Sequence, residues 1–502
     1  MKKKKKIIRL KKETNNNEIE STFPSISQSV SFNNNIINYY IIIPGNNKEL
    51  IKNCLDTREN WKEIPEENIQ KKIDKCQLFW SPLSSDINFN HYSYFIWEEN
   101  KFTNHFEYHS SITNKLFLFY NLLKYCEQIN KNLFSFYPFT IPIDSLHFSF
   151  KEQINALINL HKHMKDYIGI KNEKKKTYSE LFYLNSPNLN IGFKTKVFFP
   201  KNFYDNRNLW LLKPTNLNGG KNIIICDSIE KINSSLNNNL NDNNNNSPLN
   251  NISNNHLNDT EYENKKLPNK IIIQKYLEKP LLYDERKFDV RIWVLLNHEM
   301  NVYICKEGHL KISSEKFSIE NNDLYVHLTN YTIQKTNPNF SKFEKGNEIS
   351  FDYFQQSLNQ RLKEQKKENI NFRKDVLPKM KDIIMLTMES VKHIINEKNR
   401  KNCFELFGYD FIFDQNLTPY LLEINTNPGL EESSPFIQKI VPRMIDDLFK
   451  LTIDKIYYPV YKYKNNDKFE YPFKVNNYND NENIWELIGN IQIKKKYKSN
   501  LF

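Results

Sequence analysis

Three oxygen-bearing side chains, Asp410, Glu423 and Asn425, sit on two neighbouring apolar runs where core strands would ordinarily carry none. The segment FELFGYDFIFDQNLTPYLLEINTNP, residues 404–428, reads as a β-hairpin, because runs rich in Phe, Ile, Leu and Tyr flank a polar turn at 415–418. Counting from Asp414 opposite Pro419 sets Asp410 opposite Glu423 and Gly408 opposite Asn425, and directly opposed residues share a face. Period two adds that Glu423 and Asn425 point the same way, with Gly408 leaving room for a ligand beside them. Opposed carboxylates repel and are costly to bury, so a divalent cation that neutralises them makes sense of the pattern. An all-oxygen set suits Mg²⁺, usually shared with the phosphate oxygens of a nucleotide. Two other readings stay open on the hairpin alone: a hydrogen-bonded acid pair with one raised pKa, and a register slipped by one residue that separates the acids.

Five further segments carry polar residues in patterns that bear on the same chemistry. In WLLKPTNLNGGKNI, Lys213 closes a strand, and Gly219, Gly220 and Lys221 form a turn suited to wrapping backbone amides and a lysine around phosphates. IIIQKYLEKP, 271–280, reads as a strand whose exposed edge can hydrogen-bond a purine through its backbone. In RKFDVRIWVLL, 286–296, Lys287, Asp289 and Arg291 alternate with Phe288, Val290 and Ile292, so three charged side chains face one way. EGHLKISSE, 307–315, and HLTNYTIQK, 327–335, are expected to supply polar side chains just after strands.

The elements that position these groups are spread over 502 residues, enough for two or three domains with full cores. Residues 1–33 read as a disordered basic tail, 34–110 as an N-terminal α/β domain and 111–205 as a central domain. A C-terminal α/β domain follows over 206–458, interrupted by a disordered Asn-rich insertion at 234–266, and a basic extension covers 459–502. Within this frame IINYYIIIP, 36–44, is too short to span a bilayer and reads as a buried strand, followed by a helix ending near Trp61. Helices are also expected at 113–127, with Leu116, Phe119, Tyr120 and Leu123 on one face, and at 351–366, 374–397 and 434–451. Residues 151–190 are helix-prone and carry an exposed Lys run at Lys174–Lys176. A net charge of +12 favours an acidic partner, and no recognised nucleic-acid motif accompanies the lysines. The N-terminal lysines precede no apolar run of a signal peptide, and the six scattered cysteines read as reduced core thiols of a cytosolic protein.

In order and spacing, KP with its Gly turn, QKYLEKPLL, RKFDVRIWVLL, EGHLKISSE, HLTNYTIQK and FGYDF followed by EINTNP resemble the tubulin-tyrosine ligase family, over roughly residues 35–455. The resemblance implies an α/β (α+β) architecture with the ATP-grasp ligase fold in the C-terminal domain. Residue by residue, it implies Lys213 as a phosphate-binding lysine, with Gly220 and Lys221 in the phosphate loop, and Gln274, Lys275, Tyr276 and Leu277 as the adenine hinge. Lys287 and Asp289 become nucleotide contacts, Thr329 and Asn330 an ATP-contacting pair, and Asp410, Glu423 and Asn425 the Mg²⁺ ligands. Arg291 becomes an acceptor or phosphoryl-transfer contact, and Lys311 stands where most members grip a substrate carboxylate with Arg.

The activity so implied is ATP- and Mg²⁺-dependent ligation of a free amino acid to a protein through an acyl phosphate. Glutamate is the expected donor, ahead of tyrosine and glycine. The expected acceptor is the acidic C-terminal tail of tubulin, which places the protein in the cytoplasm on microtubules, with cilium, flagellum and basal body among its expected sites. The alternative is a non-catalytic tubulin- or microtubule-binding member of the same fold. Two departures bear on this choice. Asn222 replaces a usual glycine, although Asn tolerates left-handed backbone, and Lys311 lacks the two-pronged fork of Arg. NTNPGLEESSP is not the ending of the tyrosine ligase itself, which leaves the donor open.

Overall fold

Four short apolar runs, each bounded by turn residues, pair in parallel at the N-terminal end of the structure. This computed structural model describes residues 36–45, 47–89, 101–148, 150–167, 197–237, 267–431, 433–462, 464–465, 468–469 and 471–492. Strands β1 (Asn38–Ile42), β2 (Trp61–Glu63), β3 (Leu78–Trp80) and β4 (Phe102–Thr103) lie in the order β2-β1-β3-β4. Helix α1 (Lys48–Leu55) starts where the Asn47 side chain accepts the Leu50 amide, an N-cap whose own backbone is left-handed at φ +63°. It stops at Leu55 rather than near Trp61, because Trp61 opens β2 and pairs with Asn38.

Asn114, in extended backbone, caps helix α2 (Lys115–Gln128) by accepting the Leu116 and Phe117 amides. Its buried stripe is Lys115, Leu118, Phe119, Leu122, Leu123 and Cys126, so the face is rotated from the expected one and Leu116 and Tyr120 lie at its margin. A second sheet contains β5 (Thr140–Asp144), β6 (Trp210–Pro214), β7 (Ile224–Cys226) and β8 (Lys270–Lys275), antiparallel in the order β5-β8-β6-β7. The expectation of an exposed edge on 271–280 is therefore corrected. The apolar run Ile271–Ile273 is buried between β5 and β6, as a continuously apolar strand requires.

The largest sheet takes β9 (Leu282–Tyr283), β10 (Arg286–Leu296), β11 (Asn301–Lys316), β12 (Glu348–Ser350), β13 (Glu405–Phe413) and β14 (Pro419–Thr426). Its path is β12-β11-β10-β13-β14, with β9 on β10. EGHLKISSE lies inside β11 rather than after a strand, because β11 is long enough to pair with β10, β12 and a C-terminal strand at once. Phe288, Val290 and Ile292 enter the main apolar core and leave Lys287, Asp289 and Arg291 on the other face. Helices α3 (Phe351–Glu364), α4 (Leu377–Ser390) and α5 (Pro435–Leu451) follow. α4 is shorter than 374–397 because a π-turn at Phe372–Val376 precedes it and turns follow Ser390. The chain closes with the short hairpin β15 (Lys464–Asn465) and β16 (Lys468–Phe469), and with β17 (Trp485–Asn490), which pairs with β11.

Buried charges tie distant segments together. Arg58 donates to Asp446 at 2.8 Å and to Asp454 at 2.6 and 2.9 Å, joining the N-terminal sheet to α5. Arg443 pairs with Asp447 at 2.8 Å and donates to the carbonyls of Asn479 and Glu482, while Tyr471 donates to Asp446. His105 has Glu405 Oε1 at 2.8 Å from Nδ1 and the Ser81 carbonyl at 2.9 Å from Nε2, so both ring nitrogens face acceptors, which favours the imidazolium form and raises its pKa against burial. All six cysteines are free and buried, as expected, and no described helix is long and apolar enough to cross a membrane. The tail 1–33, Lys174–Lys176, the terminal Lys run and the insertion beyond Asn237 lie outside the described residues, whereas Ser234–Asn237 close a helix, Ile229–Asn237.

Candidate active site

The β13–β14 hairpin brings its polar residues together by a route slightly different from the expected one. Phe413, not Asp414, opposes Pro419, and a bulge at Leu422 then restores the count, so Asp410 opposes Glu423 and Gly408 opposes Asn425. The slipped register is thereby excluded. Gly408 does not leave room for a ligand: a Cβ there would stand 2.9 Å from Pro428 Cβ and 3.1 Å from Arg291 Nε, so the space belongs to the guanidinium and the proline.

Charged groups from β10, β11 and α2 converge on these acids. Arg291 donates to Asp410 through Nε at 2.6 Å and Nη2 at 3.0 Å, the two-pronged geometry of a strong pair. Lys311 Nζ lies 2.8 Å from Asp289 Oδ1 and 3.2 Å from Asp410 Oδ2, and Thr329 donates to Asp289 Oδ2. Burial would raise the Asp410 carboxyl, but Arg291 and Lys311 outweigh it and hold it well below the usual carboxylate range. Burial pushes Asp289 upward, and the Lys311 ammonium offsets this only in part. Asn425 Nδ2 donates to Asp410 at 3.2 Å and to Glu423 at 3.3 Å, so both carboxylates and the amide meet at one point. Two carboxylates and an amide whose oxygen is one half-turn away fit a hard cation such as Mg²⁺.

Next to this point is a narrow cleft lined by Lys213, Gln274, Tyr276, Lys287, Asp289 and Thr329 among others. Lys213 Nζ donates to Gln274 Oε1 at 2.6 Å, and Lys287 Nζ to Tyr276 Oη at 3.0 Å and the His327 carbonyl at 2.6 Å. Neither ammonium has a carboxylate within ion-pair distance among the described residues. Burial lowers Lys213 to about 8, with the more distant Glu423 opposing and Lys115 adding to the effect, and lowers Lys287 to about 7, with Lys213 adding and Asp289 opposing. Such a pair of buried cations is poised for an anion. Leu277 lines the cleft too. Lys275 contributes wall but not charge, because its ammonium turns to Glu278 at 2.5 Å and the Leu209 carbonyl at 2.9 Å.

The glycine turn folds over the same region. Gly219, Gly220 and Asn222 have φ of +70°, +74° and +56°, so Asn222 does adopt the left-handed backbone. A Cβ on Gly220 would come within 2.5 Å of Ile333 Cδ1 and 2.7 Å of Asn330 Oδ1, and Thr332 donates to the Gly219 carbonyl at 2.6 Å. The turn therefore packs on Asn330–Ile333, while Lys221 is exposed beyond it.

Two site residues escaped the sequence reading. Lys115 pairs with Glu423 at 3.1 Å and donates to the Leu217 carbonyl at 2.7 Å; against the effect of burial, it leads the cations that hold Glu423 below its usual range. Its signal was a lysine in register with the apolar stripe of α2. His327 Nε2 bonds the Asn321 carbonyl, which fixes the tautomer, so Tyr276 donates to Nδ1 at 2.8 Å. Burial holds that ring at about 4 and hence neutral.

The sequence profile of the tubulin-tyrosine ligase family matches residues 97–465. The chain belongs to that family. The mixed α/β architecture accords with the ATP-grasp fold of the family. Tubulin glycylase 3A of Drosophila melanogaster is 30% identical to this family member over 271 residues, covering 53% of the chain and 24% of the fly protein. Tubulin glycylase 3D of Tetrahymena thermophila is 30% identical over 254 residues, covering 49% and 21%. Protein monoglycylase TTLL8 of Mus musculus is 28% identical over 255 residues, covering 50% and 27%. The matched segment thus spans about a quarter of each relative's length.

Proposed function

We propose that this family member is an ATP-dependent ligase that adds glycine to the acidic tail of tubulin. The observation that carries the reading is the pair of buried lysines, Lys213 and Lys287, facing a cleft with no carboxylate partner of their own, next to the Asp410–Glu423–Asn425 cluster. Cations sequestered from water in this way suit the phosphates of a nucleotide. Gln274, Tyr276 and Leu277 would border the base, and Gly220, Asn330 and Thr329 the phosphates. Asp410, Glu423 and Asn425 would hold Mg²⁺, which when bound neutralises phosphate charge. In the reaction the acceptor carboxylate takes the γ-phosphoryl group and releases ADP; the amine then displaces inorganic phosphate, giving up a proton and leaving an amide.

Glycine takes the place of the glutamate expected from the motifs, since the relatives above are named as glycylases. A net charge of +12 favours the acidic tail as acceptor, which would place the protein on microtubules. Mass spectrometry of tubulin tails incubated with the protein, ATP, Mg²⁺ and mixed amino acids tests donor and acceptor together. A mass increase of one or more glycine residues is expected. Nucleotide binding without any transfer would return the non-catalytic microtubule-binding reading.

A further inference from the structure

Glu405 is a fully buried acid that the phosphate chemistry leaves unused, and its two oxygens take three donors from two other segments. Oε1 accepts from His105 Nδ1 at 2.8 Å and from the Thr426 hydroxyl at 2.6 Å, and Oε2 accepts the Phe106 amide at 2.8 Å. His105 is itself braced. Its Nε2 meets the Ser81 carbonyl, and Asn104 locks Ser81 by accepting its amide at 2.9 Å and donating to its carbonyl at 2.8 Å. The bonds to His105 and Phe106 suffice to staple the loop after β4 onto β13. The third bond does something else, because Thr426 stands next to Asn425.

The ladder of β14 with β13 ends at Thr426, opposite Phe407. Side chains alternate along a strand, so the Thr426 hydroxyl faces Glu405 on one side of the sheet while Asn425 faces Asp410 and Glu423 on the other. Directly beyond, Asn427 turns left-handed at φ +45° and the chain leaves the sheet. The last rung of a ladder frays unless a side chain holds it, and the aim of Asn425 depends on that rung. Further on, Asn47 Nδ2 donates to the Leu430 carbonyl at 3.1 Å, so the N-terminal domain grips the departing chain at a second point.

We propose that Glu405, braced by His105, is a positioning residue that pins the end of β14 through Thr426 and thereby aims Asn425 at the metal point. The loop after β4 then sets metal affinity without touching the metal. The inference rests on the Mg²⁺ reading of the Asp410–Glu423–Asn425 cluster and deepens it. Residues that orient a ligand from behind govern how well the ligand holds its ion.

The test is calorimetric binding of a non-hydrolysable ATP analogue to the full chain, in EDTA and across a series of Mg²⁺ concentrations. The parent should bind the analogue more tightly as Mg²⁺ rises. Thr426→Val, which keeps the shape and deletes the hydroxyl, should raise the Mg²⁺ concentration of half-maximal effect by about tenfold, the low end of what an outer residue costs a metal site. A larger loss is not expected, because Asn47 still holds Leu430. Affinity in EDTA and melting temperature should stay close to the parent's, and Thr426→Ser should restore the Mg²⁺ response. Thr426→Ala carries the test if the Val variant does not fold. A Mg²⁺ response indifferent to the hydroxyl, an equal weakening with and without Mg²⁺, or a Ser variant no better than Val overturns the positioning role. Transfer assays on tubulin tails separate the two readings. Glycine transfer with a Mg²⁺ response that ignores Thr426 overturns the positioning role and keeps the ligase, while a Thr426-dependent Mg²⁺ response without transfer keeps the positioning role and overturns the ligase.

Discussion

At the scale of single residues, the site is a balance of buried charges in which each side chain holds another in its protonation state. Lys213 at about 8 and Lys287 at about 7 are partly neutral near pH 8 in the free protein, whereas bound phosphates would favour their charged forms. ATP binding should then take up protons. The affinity should fall as pH rises from about 7 to 9, and titration calorimetry in buffers of different ionisation enthalpy should register the uptake. An affinity flat across that range would mean that these lysines do not meet the phosphates.

Lys311 is the second case. Its ammonium sits between Asp289 and Asp410; Asp410 keeps Arg291, but Lys311→Ala leaves buried Asp289 without a cation and should cost about 3 kcal/mol of stability as well as activity. Lys311→Arg should keep most of both, as urea unfolding and turnover together would reveal. The acids of this balance were legible in the sequence, because carboxylates on apolar strands are conspicuous. Lys115 was not, since its helix is apolar enough to pass for core alone. The role of His327 depends on which groups its two ring nitrogens meet, which no spacing encodes.

At the scale of elements, alternation and turn chemistry made β10 readable to the residue, and the hairpin partners of Asp410 and Gly408 were right although the starting pair was not. A bulge shifts register locally and has no reliable sequence mark, so only the two ends of the count were open to inspection. The misplaced edge of β8 has another cause: which strands flank a strand is decided by tertiary pairing, not by its own pattern. The Gly219–Asn222 turn yields a prediction at this scale. Gly220→Ala places a Cβ against Ile333 and Asn330 in a left-handed conformation that costs a side chain about 1–2 kcal/mol. The turn should shift, weakening ATP affinity severalfold or more with a modest drop in Tm; unchanged affinity would detach the turn from the phosphates.

At the scale of the whole molecule, the imidazolium of His105 and the carboxylate of Glu405 join the loop after β4 to the start of β13. Burial opposes the charge on His105, yet Glu405 raises its pKa above 6.5, so its contribution is full below 6.5 and lost as pH climbs through the raised folded value. For Glu405, lowered from 4.5 chiefly by His105 against burial, the contribution is present above 4.5 and lost as pH falls through the lowered folded value. The pair should therefore stabilise most between pH 4.5 and 6.5. The difference in unfolding free energy between parent and His105→Gln should peak in that window and shrink at higher pH; a difference independent of pH would argue for a neutral ring.

The pairing of β17 with β11 has a practical consequence for anyone cutting the gene. The family match ends at 465, which looks like a natural place for a stop codon, yet β11 carries Lys311 and His309 and takes its last neighbour from residues 485–490. A fragment ending at 465 would also remove Tyr471 and the carbonyls of Asn479 and Glu482, leaving Arg443 and Asp446 buried in α5 without part of their hydrogen bonding. Expressed from residue 37, the fragment to 465 should be largely insoluble or unfold at markedly lower temperature than the one to 492. Equal melting of the two would show that the minimal folded unit is the shorter one.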